Sequence, residues 1–314
     1  MKVTCLFSDN FADCDDNEKL LKLHADNLHL DPYYITSHVS PNRRKVFERC
    51  YKIYEPYKDR NFLTEIKTRF HQRTWEMYLG SLFINNGKVL NNNRKEHDAD
   101  IQVKQGENLI HVECTATTLG EENKPDTVPE MYVSKSVYNL VVQDVPEEKI
   151  LLRIAQALTD KHKQYQKRIT DGRVKENEPY VVAINTGTLQ HMENLPNILK
   201  TLFGIGHITL RMRQNGIPVE NPTPYWSRRE SITKANGEIV DMTFFEKEEH
   251  KGISAVIYSN STVLNHLLNP SDEDTILVHN PLASNPIPFE EFNFLTQHYV
   301  DKETGIVEKI TPKS

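Results

Sequence analysis

Two acidic residues, Asp100 and Glu113, are the best placed in this chain to act together in catalysis. They lie in the segments 97–103 and 109–115, which alternate apolar and polar residues and are joined by a glycine-containing loop at 105–108, a pattern typical of a β-hairpin. Alternate side chains of a strand share a face, so both acids project from the same side if the apolar residues of both strands face a core. The pattern therefore predicts two neighbouring carboxylates.

Neighbouring carboxylates repel each other, and the pKa of one rises unless a cation lies between them. Mg²⁺ or Mn²⁺ suits such a place, because carboxylate and carbonyl oxygens are ligands for these hard cations. The ion can activate a water molecule and neutralise charge that develops on a phosphodiester. Two acids considered alone favour a purely structural interpretation, in which Asp100 and Glu113 lie on a solvated face of the sheet.

A third acid, Glu76, lies in a largely apolar stretch that belongs to a helix predicted over 61–84. On such a helix Leu79 and Phe83 share its face, so its carboxylate needs a partner. Arg73, one turn earlier, is the partner in a structural salt bridge. The functional alternative is a metal site beneath the helix.

These segments follow one another as helix, hairpin, helix and strand over residues 61–186. With Glu76 in the first helix, Asp98-Ala99-Asp100-Ile101 in one hairpin strand and Val112-Glu113-Cys114-Thr115 in the other, the chain resembles the PD-(D/E)xK, or restriction-endonuclease-like, nuclease superfamily. The resemblance implies an α/β fold in which an α-β-β-β-α-β core forms a mixed sheet flanked by helices.

The same resemblance implies metal-dependent hydrolysis of phosphodiester bonds. Asp100 and Glu113 would hold Mg²⁺ or Mn²⁺, and Glu76 would be a further ligand or would orient the attacking water. The backbone carbonyl of Cys114 is the remaining expected ligand. The expected substrate is nucleic acid, with DNA favoured, and a homodimer would suit the cutting of a duplex.

Thr115 departs from the superfamily pattern, because it stands where a lysine usually orients the water and stabilises charge. The superfamily places its next helix, predicted here over 146–171, beside the hairpin, and a lysine that has migrated to this helix is a known variation. We therefore predict Lys161 as the catalytic lysine. The expected substrate-binding residues are Arg153, Gln164, Tyr165 and Thr115.

Simpler interpretations stay open for this helix and for the whole chain. Lys161-His162-Lys163 and Lys167-Arg168 could be the solvated end of an amphipathic helix. A fold without the usual lysine could be catalytically degenerate and bind nucleic acid or a protein. Asp98-Ala99-Asp100 is also a DxD sequence, which is typical of metal-dependent enzymes that act on sugar nucleotides.

Other basic and aromatic residues are candidates for a groove that binds the nucleic-acid backbone, although scattered basic residues are usually ordinary surface. They are Arg43-Arg44, Arg211, Arg213, Arg228-Arg229, Tyr225 and Trp226.

The composition excludes several classes of protein. Lysine and arginine number 38 against 44 acidic residues, a net charge of −6, which excludes a polybasic protein that binds nucleic acid through bulk charge. The four cysteines form no CxxC pair, which argues against a disulfide scaffold and a cysteine-based zinc site. No apolar run is long enough to span a membrane, and the acidic N-terminal segment is a poor signal peptide, so we expect a cytoplasmic protein with no membrane partner.

A chain of 314 residues is long enough for about two domains. We expect an N-terminal helical extension over 1–60 and the nuclease-like core over 61–186. The remaining region, 187–314, is rich in predicted strands and is expected to pack on the core sheet or to extend it.

Overall fold

A mixed seven-stranded sheet with helices on both faces organises the protein. The computed structural model describes residues 5–130, 143–189, 191, 195–210, 225–268 and 274–312. The expected α/β class is confirmed by this architecture.

Helices dominate the N-terminal part, and strands are more frequent in the C-terminal part. The helices are α1 (Asn17–Asp26), α2 (Pro32–Val39), α3 (Pro41–Tyr54), α4 (Phe62–Glu65), α5 (Phe70–Asn85), α6 (Glu147–Thr170), α7 (Asn197–Phe203) and α8 (Val263–Leu268). The strands are β1 (Ile101–Gln105), β2 (Asn108–Ala116), β3 (Tyr180–Asn185), β4 (Ile205–Thr209), β5 (Tyr225–Arg228), β6 (Ser231–Thr233), β7 (Ile239–Asp241), β8 (Ala255–Ser259), β9 (Ile276–His279), β10 (Thr296–Val300) and β11 (Val307–Ile310).

The large sheet has the strand order β1-β2-β3-β8-β9-β10-β11. β1 and β2 form the predicted antiparallel hairpin, and β2, β3 and β8 run parallel to one another. β3 is buried along its whole length, as its continuous apolar sequence indicates. The C-terminal strands β8 to β11 continue the same sheet, while β4-β5 and β6-β7 form two separate small ribbons.

Each face of the sheet has its own core. Apolar residues of β1 and β2, among them Ile101 and Val112, pack with the N-terminal helices, including α5. The opposite face packs against α6 through residues such as Ile154 and Val182. The hairpin is therefore enclosed between α5 and α6.

The single helix predicted over 61–84 is wrong, since α4 ends at Glu65 and α5 begins at Phe70. Asp31 accounts for the break through two contacts that are distant in sequence. Its carboxylate accepts a hydrogen bond from the Phe70 N–H at 3.1 Å, and its own N–H donates to the Lys67 carbonyl at 2.7 Å. Both contacts hold the connecting turn in a non-helical path.

The short strand predicted at 88–90 is reduced to one bridge, which pairs Leu90 with Val103. β1 begins at Ile101, four residues later than predicted. The reason is a turn before it, in which the Asp98 carboxylate accepts a hydrogen bond from the Lys95 N–H at 2.8 Å. Local side-chain bonds of this kind compete with the strand ladder.

His266 on α8 gives the fold an expected sensitivity to acid. Burial lowers its pKa to about 4, whereas a histidine in the unfolded chain has a pKa of about 6.5. Between these values the unfolded state binds a proton that the folded state does not, so the free energy of unfolding falls as the pH decreases through this window and is unaffected above it. At 1.36 kcal/mol per pKa unit the loss at pH 4 is about 3 kcal/mol.

Urea unfolding of the wild type and of His266→Gln at pH 7, 6 and 5 measures this effect. The wild type should lose more stability than the variant as the pH falls. His29→Gln, a change at an exposed histidine, serves as the control and should follow the wild type. Parallel curves for the wild type and His266→Gln would contradict the assignment.

Candidate functional site

The register of the hairpin sets Asp100 opposite Glu113. Ile101 pairs with Val112, and the same register continued by one residue brings the two acids face to face. The Glu113 side chain lies on the α6 side of the sheet, where Lys161 binds it, opposite to the apolar residues of the hairpin. The solvated-face interpretation is wrong for Glu113, because α6 covers it and leaves 4% of the residue exposed.

Asp100 has the strongly perturbed carboxyl that the sequence predicts for a crowded acid. Burial, the nearby Glu113 and then Glu76 raise its pKa to about 8, while Lys161 and the Cys114 N–H oppose the rise. The Cys114 N–H donates to one carboxyl oxygen at 2.8 Å. Among the described residues, the other oxygen receives no hydrogen bond.

Glu113 is held by two cations from α6. Lys161 Nζ lies 3.0 Å from Glu113 Oε1, and the Arg168 guanidinium lies 2.5 Å from Oε2. Lys161 also donates to the Gln164 side-chain carbonyl at 3.1 Å. The solvated-end interpretation of this helix is therefore wrong for Lys161 and Arg168, whose side chains are 14% and 13% exposed.

Arg168 is the residue that the sequence analysis missed. Besides Glu113, its guanidinium donates to the Tyr180 hydroxyl and to the carbonyls of His97 and Asp98. It thereby ties α6 and β3 to the segment that leads into Asp100. The available signal was its spacing, since Arg168 follows Lys161 by two helical turns and shares its face.

Gln72 on α5 fixes the backbone of β2 next to the two acids. Its amide nitrogen donates to the Cys114 carbonyl at 3.0 Å, and its amide oxygen accepts from the Ala116 N–H at 2.8 Å. The Cys114 carbonyl is the predicted backbone ligand, and it keeps a second lone pair for another partner.

Glu76 hydrogen-bonds to Tyr54 and Arg73, and it does not join Asp100 and Glu113. It is completely buried, and its two oxygens accept from the Tyr54 hydroxyl at 2.5 Å and from Arg73 at 2.6 Å. Arg94 lies 3.6 Å away. The structure thus realises the Arg73 salt bridge, and Glu76 is not among the residues that line the cavity next to Asp100 and Glu113.

A cavity of about 780 Å³ opens over the acids, and we call it the carboxylate cavity. Asp100, Glu113 and Lys161 line it together with Gln72, which lies beside them on α5. Its lining contains both cationic and acidic side chains, together with Thr117, Thr118 and Thr188. The cavity therefore reaches three of the groups that the sequence singles out, namely Asp100, Glu113 and Lys161.

The predicted substrate-binding residues are not gathered in this cavity. Arg153 donates to Thr118 and lines a neighbouring cavity. Gln164 is exposed and bound to Lys161. The ring centroids of Tyr165 and Tyr180 lie 4.9 Å apart, so Tyr165 packs against the core.

The last of these predicted residues, Thr115, pairs with Ile184 in the sheet and is half-buried. It is not among the residues that line the carboxylate cavity. The prediction that Tyr165 lies in a polar row with Arg153 and Lys161 is therefore wrong, because its ring packs against the core.

The other basic candidates are mostly engaged elsewhere. Arg44 pairs with Asp13, Arg228 with Glu246 and Arg229 with Glu147. Arg211 and Arg213 lie outside the described residues. Asp98, the first acid of the DxD sequence, caps the turn before β1 and lies 3.4 Å from Arg173.

The oxygen atoms near the cavity are of the kind that coordinates a hard cation, but they are fewer than predicted, and both oxygens of Glu113 already pair with Lys161 and Arg168. Asp100 has a carboxyl oxygen without a donor among the described residues, and Glu113 and the Cys114 carbonyl supply oxygens of the type that Mg²⁺ binds. Within the described ranges, no cluster of three or more histidine, cysteine, aspartate or glutamate side chains is poised to hold a metal. Glu76 does not complete such a cluster, because it is bound by Tyr54 and Arg73 instead.

The described part of the chain has no helix that combines the length and the apolar character needed to cross a membrane. Comparisons of the sequence and structure with protein-family models, with curated proteins and with solved structures found no match.

Proposed function

We propose that this protein is a metal-dependent nuclease that hydrolyses phosphodiester bonds in nucleic acid, with DNA as the favoured substrate. The observation that carries the proposal is the meeting of Asp100, Glu113 and Lys161 in one cavity, where Lys161 Nζ lies 3.0 Å from Glu113 Oε1. Two acids on a hairpin can hold a metal ion, and a cation from the following helix can stabilise charge on a phosphate during hydrolysis.

The order of the elements supports a restriction-endonuclease-like core within the larger α/β fold. α5 is followed by the Leu90 bridge, the β1-β2 hairpin, α6 and then β3, which lies parallel to β2. This is the α-β-β-β-α-β order of that superfamily, with the first strand shortened to one bridge. We propose that 61–186 is this core.

In the proposed mechanism, Asp100, Glu113 and the Cys114 carbonyl would hold Mg²⁺ or Mn²⁺. When bound, the ion supplies Lewis-acid polarisation of the phosphate and lowers the pKa of a water molecule. Lys161 stabilises the negative charge that develops on the phosphate. Thr115 stands where the superfamily usually has a lysine, but it is neutral and lacks the charge for this role. Arg168 orients the Glu113 carboxylate from the opposite side.

The direct test is incubation of the purified protein with linear, circular and single-stranded DNA and with RNA, in Mg²⁺, in Mn²⁺ and in EDTA. We expect cleavage of a nucleic acid that requires the divalent ion. Intact substrates under all these conditions would refute the proposal, provided that circular dichroism shows a folded protein.

Lys161→Met is expected to lower the rate of this cleavage by about 100-fold to 1,000-fold, the range typical for the loss of one group that stabilises a transition state. Lys163→Met is the matched control, because it removes the same charge from an exposed position on the same helix and should keep the wild-type rate. Equal rates for both variants would remove Lys161 from the mechanism.

A catalytically degenerate fold that binds nucleic acid is the second candidate, and one observation favours it. Both oxygens of Glu113 are already paired with cations, which opposes the binding of a further positive ion. Calorimetric titration with Mn²⁺ separates the two functions. A protein that binds nucleic acid in EDTA but takes up no Mn²⁺ would be a binding module.

A further inference from the structure

A second cavity of about 520 Å³ adjoins the carboxylate cavity, and we call it the Arg43 cavity. Tyr33 and His71 line both cavities and therefore form the wall between them. On the far side, the loops that follow β3 and β8 close the Arg43 cavity. A Cβ on Gly187 would lie 2.6 Å from the backbone of Ser261, so these loops are in direct contact.

Tyr33 presents an aromatic ring that is supported on one side and open on the other. The residue is 45% exposed, and its ring packs edge-on against His71 with centroids 4.3 Å apart. The Tyr33 N–H donates to the Asp31 carboxylate at 2.8 Å, which fixes the start of α2. An exposed ring held in this way is a platform on which a planar ligand can stack.

His71 has an unused hydrogen-bonding atom at the same place. Its Nε2 is buried and has no hydrogen-bond partner among the described residues. Buried polar atoms in folded proteins are nearly always paired, so a partner from outside the chain would remove an unfavourable contact. Burial also lowers the pKa of His71, so the neutral ring can donate or accept.

Arg43 adds a cation that is free to bind a phosphate. It lines the cavity, and no ion pair engages it within the described residues. Arg44, its neighbour, is by contrast paired with Asp13 at 2.8 Å. A guanidinium has a planar set of donors that matches the oxygens of a phosphate.

We propose that the Arg43 cavity binds one nucleotide of a single-stranded nucleic acid next to the bond that is cut. The base stacks on Tyr33 and bonds through its edge to His71, while Arg43 holds a phosphate. A base in a duplex has both faces stacked and its pairing edge occupied, so it cannot make these contacts. The inference rests on the proposed function for the position of the scissile bond only.

Fluorescence anisotropy tests this inference with labelled ten-residue oligothymidylate, the matching oligouridylate and a DNA hairpin duplex. Ca²⁺ replaces Mg²⁺, and the salt concentration is constant because affinities for nucleic acid depend on it. Tyr33→Ala should raise the Kd for the single strands by about 10-fold, the size expected for one lost stacking contact. Tyr33→Trp, which keeps the stacking face, should restore most of the affinity.

Arg43→Ala should also weaken binding of the single strands, because it removes the cation that holds a phosphate. Two controls match Tyr33→Ala and Arg43→Ala. Phe289→Ala removes an aromatic ring of similar exposure, 41%, that also packs against a histidine, His279, and Arg49→Ala removes an exposed arginine from the helix that carries Arg43. Both should bind the single strands as the wild type does. The inference is overturned if Tyr33→Ala binds them normally, if Phe289→Ala loses as much affinity, or if the duplex responds to Tyr33→Ala as strongly as the single strands do.

Hydrolysis of bis(p-nitrophenyl) phosphate by the wild type, in Mg²⁺ or Mn²⁺, tests the proposed function separately. If the wild type hydrolyses it and Tyr33→Ala binds oligonucleotides normally, the nuclease proposal stands and the nucleotide site falls. If neither this ester nor any nucleic acid is cleaved while Tyr33→Ala still weakens single-strand binding, the nucleotide site stands and the nuclease proposal falls. The two oligonucleotides also decide between DNA and RNA as the strand that is bound.

Discussion

Glu113→Gln is expected to lower metal-dependent cleavage by more than about 100-fold. Loss of a residue that only orients a metal ligand already costs about 10-fold to 100-fold, and Glu113 is proposed as a direct ligand. The change preserves the shape of the side chain but removes the negative charge that faces Lys161 and Arg168. Cleavage of DNA over a series of Mg²⁺ concentrations measures both the rate and the requirement for the ion.

Glu178→Gln is the matched control for this experiment. Glu178 is also almost fully buried and also accepts hydrogen bonds, from His111 and Lys175, but it is not among the residues that line the carboxylate cavity. Its variant should therefore cleave at close to the wild-type rate. A Glu113→Gln protein that is folded and fully active would exclude Glu113 as a ligand.

Arg73→Met is expected to reduce the free energy of unfolding by about 3–5 kcal/mol, the usual loss when one partner of a buried ion pair is removed. Its guanidinium contacts the completely buried Glu76 at 2.6 Å and also pairs with Asp59 and Glu65. Burial raises the pKa of Glu76, and Arg73 and Arg94 oppose this rise. Removal of Arg73 therefore leaves a buried acid with less compensation. Urea unfolding at pH 7 measures the loss.

Arg69→Met supplies the comparison for Arg73→Met. The Arg69 side chain is 69% exposed and lies 3.9 Å from Glu65, so its loss should change the stability by less than about 0.5 kcal/mol. The double variant Arg73→Met/Glu76→Gln should recover part of the stability, since the uncompensated acid is gone. No recovery in the double variant would show that the Arg73–Glu76 pair is not the source of the effect.

Both experiments address the same question about the three acids. A structural Glu76 affects mainly stability, whereas a Glu113 that holds a metal affects mainly the rate of cleavage. The structure separates these roles, because Arg73 and Tyr54 bind Glu76 while Glu113 lines the carboxylate cavity. Measurements of stability and activity on the same variants therefore test the division.

Periodicity along the chain was sufficient to predict the hairpin and the faces of its strands. The alternation in β1 and β2 assigns Ile101 and Val112 to one side and Glu113 to the other, because the side chains of a strand alternate by geometry. The amphipathic pattern of α6 likewise predicted its extent and placed Lys161 on its polar face. These features depend on neighbours within a few residues.

Contacts between distant segments were beyond such reasoning. The sequence around Phe70 does not indicate that Asp31 binds the turn before it. The sequence around Glu113 likewise does not indicate that Arg168, 55 residues away, is its second partner. The sequence allows two partners for Glu76, a salt bridge to Arg73 or a metal ion, since both compensate a buried carboxylate. The salt bridge is favoured by the packing of α5 against α3, which brings the Tyr54 hydroxyl to Glu76 as a further donor. Local geometry fixes the direction of a side chain, whereas the atoms that it meets depend on how separate elements pack.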